Sequence, residues 1–308
     1  MCLFYGLVQE MSLKKEVKNI IRDSLRAMLS PRGYNRIRFI LTHKYNPNFQ
    51  EPKTFSEKIF SRKYDHSSIR FSKYVDKYTV REYVKETIGE KYLVPLIGKT
   101  TYVTPDFFKN APSEFVIKTS NGGGGENVKV VTDKSNLGDL NVLSSQFNRY
   151  LKIKIGKKID ENFYDCEVPQ VIMETLLRHK DGSLPSDYKL HIFKNDSSMD
   201  DTVIIQVDSD RFTSHKRSLY SESLERLNYT IQPKYENVND NYVFPANMKE
   251  LISLAKKLAS PFKYVRVDMY NVDGDIYFGE MTFCHGSGWE PLTNKKYDLL
   301  LGSYWREF

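Results

Sequence analysis

The spacing of apolar positions changes period several times along the chain. Leu13, Val17, Ile20, Ile21, Leu25, Met28 and Leu29 recur at helical spacing over 12–29, and Ser30-Pro31 ends the run. A second helix is expected over about 68–88, closed by Gly89, with Lys77 and Arg81 four apart on one face. Pro95, Pro105 and Pro112 mark loop. Phe115–Lys118 and Val128–Val131 then read as two strands of a hairpin. A helix follows over 139–154, a strand running into a connection over 169–177, and a polar turn over 178–187. Strands are expected at 188–193 and 202–208, irregular chain at about 220–245, and a helix over 246–260 closed by Pro261. Residues 263–283 form a last hairpin around Asp273-Gly274.

The first hairpin carries an unusual tip. FVIKTSNGGGG (115–125) places Lys118 at the root of a loop made only of small residues, ending in Gly122, Gly123, Gly124 and Gly125. Successive bare N–H groups make an anion-binding concavity, so a phosphate loop is expected, with a plain mobile hairpin as the simpler reading. Glu126 stands where a Walker A loop would need its Gly-Lys-Ser/Thr ending. The spaced glycines and following helix of a dinucleotide site are also missing.

The last hairpin carries acid. Arg266, Asp268 and Tyr270 alternate with Val265, Val267 and Met269, and Glu280 lies on the return strand. A loop of Val272-Asp273-Gly274 with Gly274 at positive φ puts Arg266 opposite Glu280, and Asp268 one pair further along that face. A two-residue loop puts Glu280 on the other face. The first arrangement is expected, because two carboxylates on rigid strands suit Mg²⁺, which takes its remaining ligands from water and phosphate.

Charge narrows the partners. Among 308 residues, 46 Lys/Arg against 39 Asp/Glu give a formal +7, which favours anionic partners. No helix-turn-helix, zinc or RNA-binding signature appears, so nucleic acid is not expected. Residues 12–45 hold nine Lys/Arg and two Asp/Glu. This basic helix is either a solvated face or a peripheral contact with an anionic membrane or polysaccharide. Cys2, Cys166 and Cys284 have no paired spacing, so neither a disulfide framework nor a zinc site is indicated, and a reducing cytoplasm is expected. No apolar run reaches membrane length, and Met11 is an alternative start.

These pieces occur in a telling order. EPKTFSEKI (51–59), DKYTVREYV (76–84), FVIKTSNGGGG, DYKLHIF (187–193) and RVDMY…FGEMTF resemble the blocks of the TupA-like ATP-grasp family of bacterial surface-polysaccharide loci, over roughly 45–300. The resemblance implies an α+β ATP-grasp fold, two α+β subdomains gripping ATP. A helical extension would occupy 1–65 and the ATP-grasp domain 66–308, with the lid at about 110–175 and the metal-binding part at about 176–308. By the same resemblance, Lys77 and Lys118 contact ATP phosphates beneath the glycine loop. Glu174, Thr175, Leu176 and Leu177 form the adenine hinge, Asp187 takes the ribose hydroxyls, and Lys189 reaches phosphate. Arg266 and Lys118 act on the transferring phosphoryl group, and Asp268 and Glu280 hold Mg²⁺. Thr282 departs from the Glu-x-Asn that many ATP-grasp enzymes have at the second metal position. The amino-terminal part is also short for the domain that such ligases usually carry in front.

The implied reaction is ATP-dependent joining of a carboxylate to an amine through an acyl phosphate, inside the cytoplasm or at the inner face of the membrane. The implied acceptor is a uronic acid of an acidic polysaccharide or its nucleotide-linked precursor, and the co-substrate an amino acid or similar amine. Arg211, His215, Lys216, Arg217 and His285 are candidates for the acceptor side, although solvated or structural roles explain each of them equally simply. Three other classes compete, one of them a catalytically dead nucleotide-binding scaffold in a polysaccharide assembly complex, against which the intact lysine, arginine and carboxylate set argues. Asp208-Ser209-Asp210 is a D-x-D pattern of the kind metal-dependent glycosyltransferases use, and a sugar kinase could be built on the same fold.

Overall fold

The computed structural model describes residues 2–122, 127–195, 201–209 and 214–306, with backbone alone for 2–21 and 23. The chain divides into two compact units, Met1–Asn48 and Phe49–Phe308. In the first unit, α1 (Cys2–His43) is broken at Ser30, which has φ 61° and ψ 155°. The break falls where Ser30-Pro31 was expected to stop the helix, but the helix resumes after it.

The second unit contains α2 (Phe55–Tyr64), α3 (Ser72–Val75), α4 (Val80–Thr87), α5 (Leu140–Leu151), α6 (Ile155–Ile159), α7 (Met248–Ala259) and α8 (Lys295–Tyr304). Its strands are β1 (Leu96–Thr100), β2 (Phe115–Thr119), β3 (Val128–Val131), β4 (Val171–Glu174), β5 (Asp187–Phe193), β6 (Thr202–Ser209), β7 (Lys216–Ser221), β8 (Tyr264–Val272) and β9 (Asp275–Thr282). They form two antiparallel sheets, β1-β4-β2-β3 and β7-β6-β5-β8-β9.

Each sheet has one apolar face. Phe115 and Ile117 on β2, with Val171 and Met173 on β4, pack with Phe108, Leu143 and Phe147 in the smaller core. The larger core lies under the five-stranded sheet, where Leu190, Ile205, Val265 and Val267 meet Leu251, Ala255 and Leu258 of α7. Those three α7 positions recur at i, i+4 and i+7, and each fully buried Leu contributes about 1.5–3 kcal/mol. The opposite face of that sheet is polar, and it forms the candidate site.

The EPKTFSEKI segment has a structural job. Thr54 and Glu57 form a capping box: Glu57 N donates to Thr54 Oγ1 at 3.1 Å, and Thr54 N donates to Glu57 Oε2 at 2.9 Å. Arg62, near the other end of α2, donates to the carbonyls of Tyr264 and Phe283 at 3.0 and 2.9 Å, fixing β8 against the end of β9.

Three expected elements differ. The helix over 68–88 is interrupted at 76–79, because Asp76, the residue that ends α3, turns the chain by accepting the N–H groups of Tyr78 and Thr79 on Oδ1 before α4 begins. The 139–154 helix ends at Leu151, and α6 follows as a separate turn. Lys216–Ser221, expected as basic loop running into irregular chain, is a strand paired with β6. Its basic residues conceal it, since Arg217 is buried by its ion pairs with Asp208 and Glu290 rather than by apolar neighbours.

A buried acid lies behind the polar face. Glu161, 2% exposed, accepts from Ser287 Oγ at 2.5 Å and sits 4.0 Å from Lys63. Burial pushes its carboxyl up from 4.5 to about 7, against the pull of Lys63. The folded state therefore binds this proton more tightly than the unfolded state. The stability is present below about 4.5 and is lost as pH rises to about 7. Glu161→Gln is expected to remove the dependence, shrinking the difference in unfolding free energy between pH 5 and pH 8 by about 2–3 kcal/mol. Urea unfolding at the two pH values checks this; an unchanged difference would place the titration elsewhere.

Candidate active site

The break between α3 and α4 decides where Lys77 goes. Its backbone N–H reaches Ser120 O at 2.9 Å, and its ammonium donates to the carbonyl of Gly122. Lys77 thus leaves the helix face it was expected to share with Arg81 and lies against the root of the glycine loop. Gly122 is required there, because a Cβ would stand 2.8 Å from Thr119 Oγ1 and 3.3 Å from Asn127. Gly123, Gly124 and Gly125 lie outside the described residues.

On the polar face of β2 and β4, Lys118 meets Glu174 Oε2 at 2.5 Å, and Arg81 holds Glu174 Oε1 at 3.0 Å. Arg81 also donates to Val94 O at 3.0 Å. Glu174 was expected to act with its backbone in a hinge; its side chain is in addition the counter-charge that aims Lys118. Thr175 N donates to Pro95 O at 3.0 Å, which ties the segment after β4 to the start of β1. Leu176 is buried, while Leu177 is partly accessible. Burial lowers the Lys77 ammonium, and Lys118 adds to that, while Glu280 and Glu174 oppose it. Lys77 is therefore close to charges on both sheets.

The five-stranded sheet contributes the other half. Asp187, Lys189 and His191 alternate on β5 and share a face with Gln206 and Asp208 of β6, Arg217 of β7 and Arg266 and Asp268 of β8. Arg266 grips Asp268 with two hydrogen bonds, at 2.6 and 2.8 Å, and reaches Glu280 Oε1 at 2.8 Å. Lys189 sits 3.1 Å from Asp268, 3.4 Å from Asp187 and 3.8 Å from Asp208. Burial disfavours the Arg266 charge, but Asp268 and Glu280 more than restore it, so its pKa lies above the ordinary arginine range.

The hairpin reaches this arrangement by a different register from the one expected. Val272 pairs with Asp275, so the loop is the two-residue Asp273-Gly274, both at positive φ. Such a loop alone would turn Glu280 away from Asp268. A bulge restores the phase: Met269 pairs with Phe278 but Asp268 pairs with Glu280, leaving Gly279 as the extra residue. Arg266 therefore stands opposite Thr282, and Asp268 opposite Glu280. A Cβ at position 279 would be 3.0 Å from Asp268 O and 3.0 Å from the Tyr270 ring, which explains the glycine.

The remaining expected residues separate. Arg217 is 5% exposed and holds Asp208 at 2.6 Å and Glu290 at 2.7 Å, so it belongs to the framework rather than to an acceptor surface. His285 is 3% exposed. Arg266 Nη1 can only donate, so His285 Nδ1 accepts at 2.8 Å, and Nε2–H faces Glu290 Oε2 at 3.2 Å. His285 thus positions Arg266 and does not face an acceptor. His215 lies at the rim, 3.0 Å from Asp208 and with its ring 4.1 Å from that of Tyr235. Arg211 and Asp210 lie outside the described residues. Asp208, half of the D-x-D pattern, is engaged by Arg217, His215 and Gln206.

Asp268, Arg266, His285, Glu290, Arg217, Asp208 and Lys189 thereby close a ring of polar contacts. Sequence reasoning missed Glu290 in this ring, and outside it Arg81, which holds Glu174, and His191, which bonds Tyr264 and Gln206. For His191 a signal existed, two residues beyond Lys189 on the same strand. For Arg81 and Glu290 there was none, because long-range pairing alone brings them in.

Lys77 feels Lys118 and Glu174 of the four-stranded sheet and Glu280 of the five-stranded one, and this grouping is the setting for comparison with known families. The sequence profile of the family described as TupA-like ATPgrasp matches residues 57–306. The chain belongs to this family. The TupA-like chain also resembles solved structures at low identity. D-alanine–D-alanine ligase from Helicobacter pylori is 16% identical over 75% of this chain and 60% of that one, with a TM-score of 0.40. Biotin carboxylase from Campylobacter jejuni, in a β,γ-ATP complex, is 14% identical over 70% and 42%, with a TM-score of 0.41. N5-carboxyaminoimidazole synthetase from Staphylococcus aureus, complexed with ADP, is 14% identical over 67% and 44%, with a TM-score of 0.38. The TupA-like chain spans about half the length of these structures. No curated protein matches it.

The TupA-like site suits a cation that brings most of its own ligands. Among the described residues no group of three or more His, Cys, Asp or Glu is arranged to hold a metal. Two carboxylates do face one another. Glu280 Oε1 accepts from Arg266 and, at 3.2 Å, from Thr282 Oγ1, whereas Oε2 has no protein hydrogen-bond partner among the described residues. The Glu280 side chain is 37% exposed. Burial raises its pKa, but Lys77, Arg266 and Lys189 outweigh that and hold it down to about 2. An ionised, partly open carboxylate with an unused oxygen fits Mg²⁺ that keeps water and phosphate ligands.

Proposed function

We propose that this protein is an ATP-dependent ligase that activates a carboxylate as an acyl phosphate and passes the acyl group to an amine, releasing ADP and phosphate. The observation that carries this reading is the position of Lys77. Its charge interacts with Lys118 and Glu174 on one sheet and with Glu280 on the other. Cations that could hold a polyphosphate therefore face groups that could stabilise its terminal transfer.

Lys77, Lys118 and the loop N–H groups would bind the phosphates. Glu174–Leu177 would hold adenine, largely with backbone groups, and Asp187 the ribose hydroxyls. Arg266, fixed on one side by Asp268 and on another by His285, would meet the charge that develops on the transferring phosphoryl group. Bound through Glu280 and Asp268, Mg²⁺ would supply charge neutralisation for the phosphates. As the carboxylate oxygen attacks the γ-phosphorus, ADP leaves. The amine then attacks the acyl carbon, loses a proton and expels phosphate. Excluding water would protect the acyl phosphate from hydrolysis.

The acceptor class rests on the family's setting: a uronic-acid carboxylate of a surface polysaccharide or its precursor, with an amino acid or similar amine, acted on in the cytoplasm. His215 is the expected residue left at the rim to meet it. ADP and phosphate are expected only when the uronic acid is present, and hydroxylamine should capture the intermediate as a hydroxamate without the natural amine. AMP and pyrophosphate would exclude the mechanism, and phosphate retained on the sugar without hydroxamate would mean a kinase.

A further inference from the structure

None of the site residues named above comes from the basic amino-terminal unit. Residues 24–50 contain Arg26, Arg32, Arg36, Arg38 and Lys44 and no Asp or Glu, so five minus zero gives +5 of the chain's +7. The charge is concentrated rather than spread. On a straight helix Arg22 and Arg38 would stand about 24 Å apart. Instead both Arg22 and Arg26 act electrostatically on Arg38, whose pKa falls through burial and through this repulsion. The helix breaks at Ser30, which has non-helical dihedrals and accepts from Gly33 N on Oγ at 3.2 Å.

An apolar stripe accompanies the arginines. Leu25, Met28 and Leu29 precede the break, and Ile37, Ile40 and Leu41 follow it with the same i, i+3, i+4 spacing. All six are exposed, Met28 by 81% and Leu41 by 65%. The second half buries a different face, through Asn35, Phe39 and His43. At 100° per residue, Ile37, Ile40 and Leu41 lie opposite that face, with Arg36 on one side and Arg38 on the other. The stripe is therefore not the surface on which this helix packs.

We propose that residues 22–45 lie in the interface of a bilayer containing anionic phospholipid, with the apolar stripe at the acyl boundary and the arginines at the phosphodiesters. A bilayer satisfies both features at once. A soluble polyanion would match the arginines and leave six large apolar side chains in water. A second copy stacked on the stripe would set arginines against arginines, with Asp23 the one acid in 22–45 against six Lys/Arg. No helix among the described residues is long and apolar enough to cross a membrane, so the contact is peripheral.

Sedimentation of the full chain with vesicles tests this, using phosphatidylcholine alone and phosphatidylcholine with about one quarter phosphatidylglycerol at about 0.15 M salt. Binding is expected to the anionic vesicles and not to the neutral ones. Arg36→Gln with Arg38→Gln should weaken it about thirtyfold, at about a tenfold change per 1.4 kcal/mol and about 1 kcal/mol per arginine. Ile37→Ser, Ile40→Ser and Leu41→Ser together should abolish it with the melting temperature kept, since these side chains are exposed. No binding, equal binding to neutral vesicles, or full binding by either variant would overturn the proposal. So would a wild-type dimer that the triple serine variant dissolves while vesicles go unbound. ATP hydrolysis is a separate readout, and its failure would leave vesicle binding unaffected.

Discussion

Asp268→Asn is expected to lose turnover and about 3 kcal/mol of stability together. Asp268 is 4% exposed and takes Arg266 at 2.6 and 2.8 Å and Lys189 at 3.1 Å. Asparagine keeps the shape but removes the charge that two buried cations share. Breaking one side of a buried pair costs about 3–5 kcal/mol. Asp187, Asp208 and Glu280 remain nearby, which places the loss at the lower end of that range. From the sequence alone Asp268 would face solvent and metal, and the substitution would leave stability untouched. Chemical denaturation of the variant discriminates the two: wild-type stability with lost turnover would remove Asp268 from the framework. The double variant Asp268→Asn, Lys189→Met should regain stability without regaining turnover.

Lys118→Ala should lower the rate of ADP formation by about 10²–10³-fold, the usual cost of removing one charged donor from a transition-state site. The fold should survive, because Arg81 continues to hold Glu174 at 3.0 Å and the smaller core lies on the other face of β2. Glu174→Gln is the companion variant. It frees Lys118 from its 2.5 Å partner, and the activity loss should be smaller than for Lys118→Ala. A Lys118→Ala enzyme within threefold of wild type would take this lysine out of phosphoryl transfer and leave Lys77 and Arg266 to carry it.

Much of this site lies in short sequence segments, and those parts were legible. Lys118 precedes the glycines on a β-branched strand, and Asp187 and Lys189 alternate on one face of β5, because a strand's period fixes facing wherever the strand itself is recognised. Gly274 at positive φ follows from the Asp-Gly turn. The order of the blocks was enough to suggest the family that the profile match to 57–306 establishes.

What the sequence could not supply was phase and pairing. Whether Glu280 faces Asp268 depends on turn length and on the bulge at Gly279 together, and either error alone reverses the answer. Lys77 reaches the glycine loop because Asp76 interrupts a helix whose apolar pattern runs on unbroken, and one side chain capping two N–H groups outweighs that pattern locally. Arg217 and His285 read as acceptor candidates because nothing local shows that they are buried in ion pairs with Asp208 and Glu290. Local periodicity reports which face of an element is apolar. The mutual neutralisation of charges from β5, β6, β7 and β8 exists only once tertiary structure has brought them within hydrogen-bonding distance.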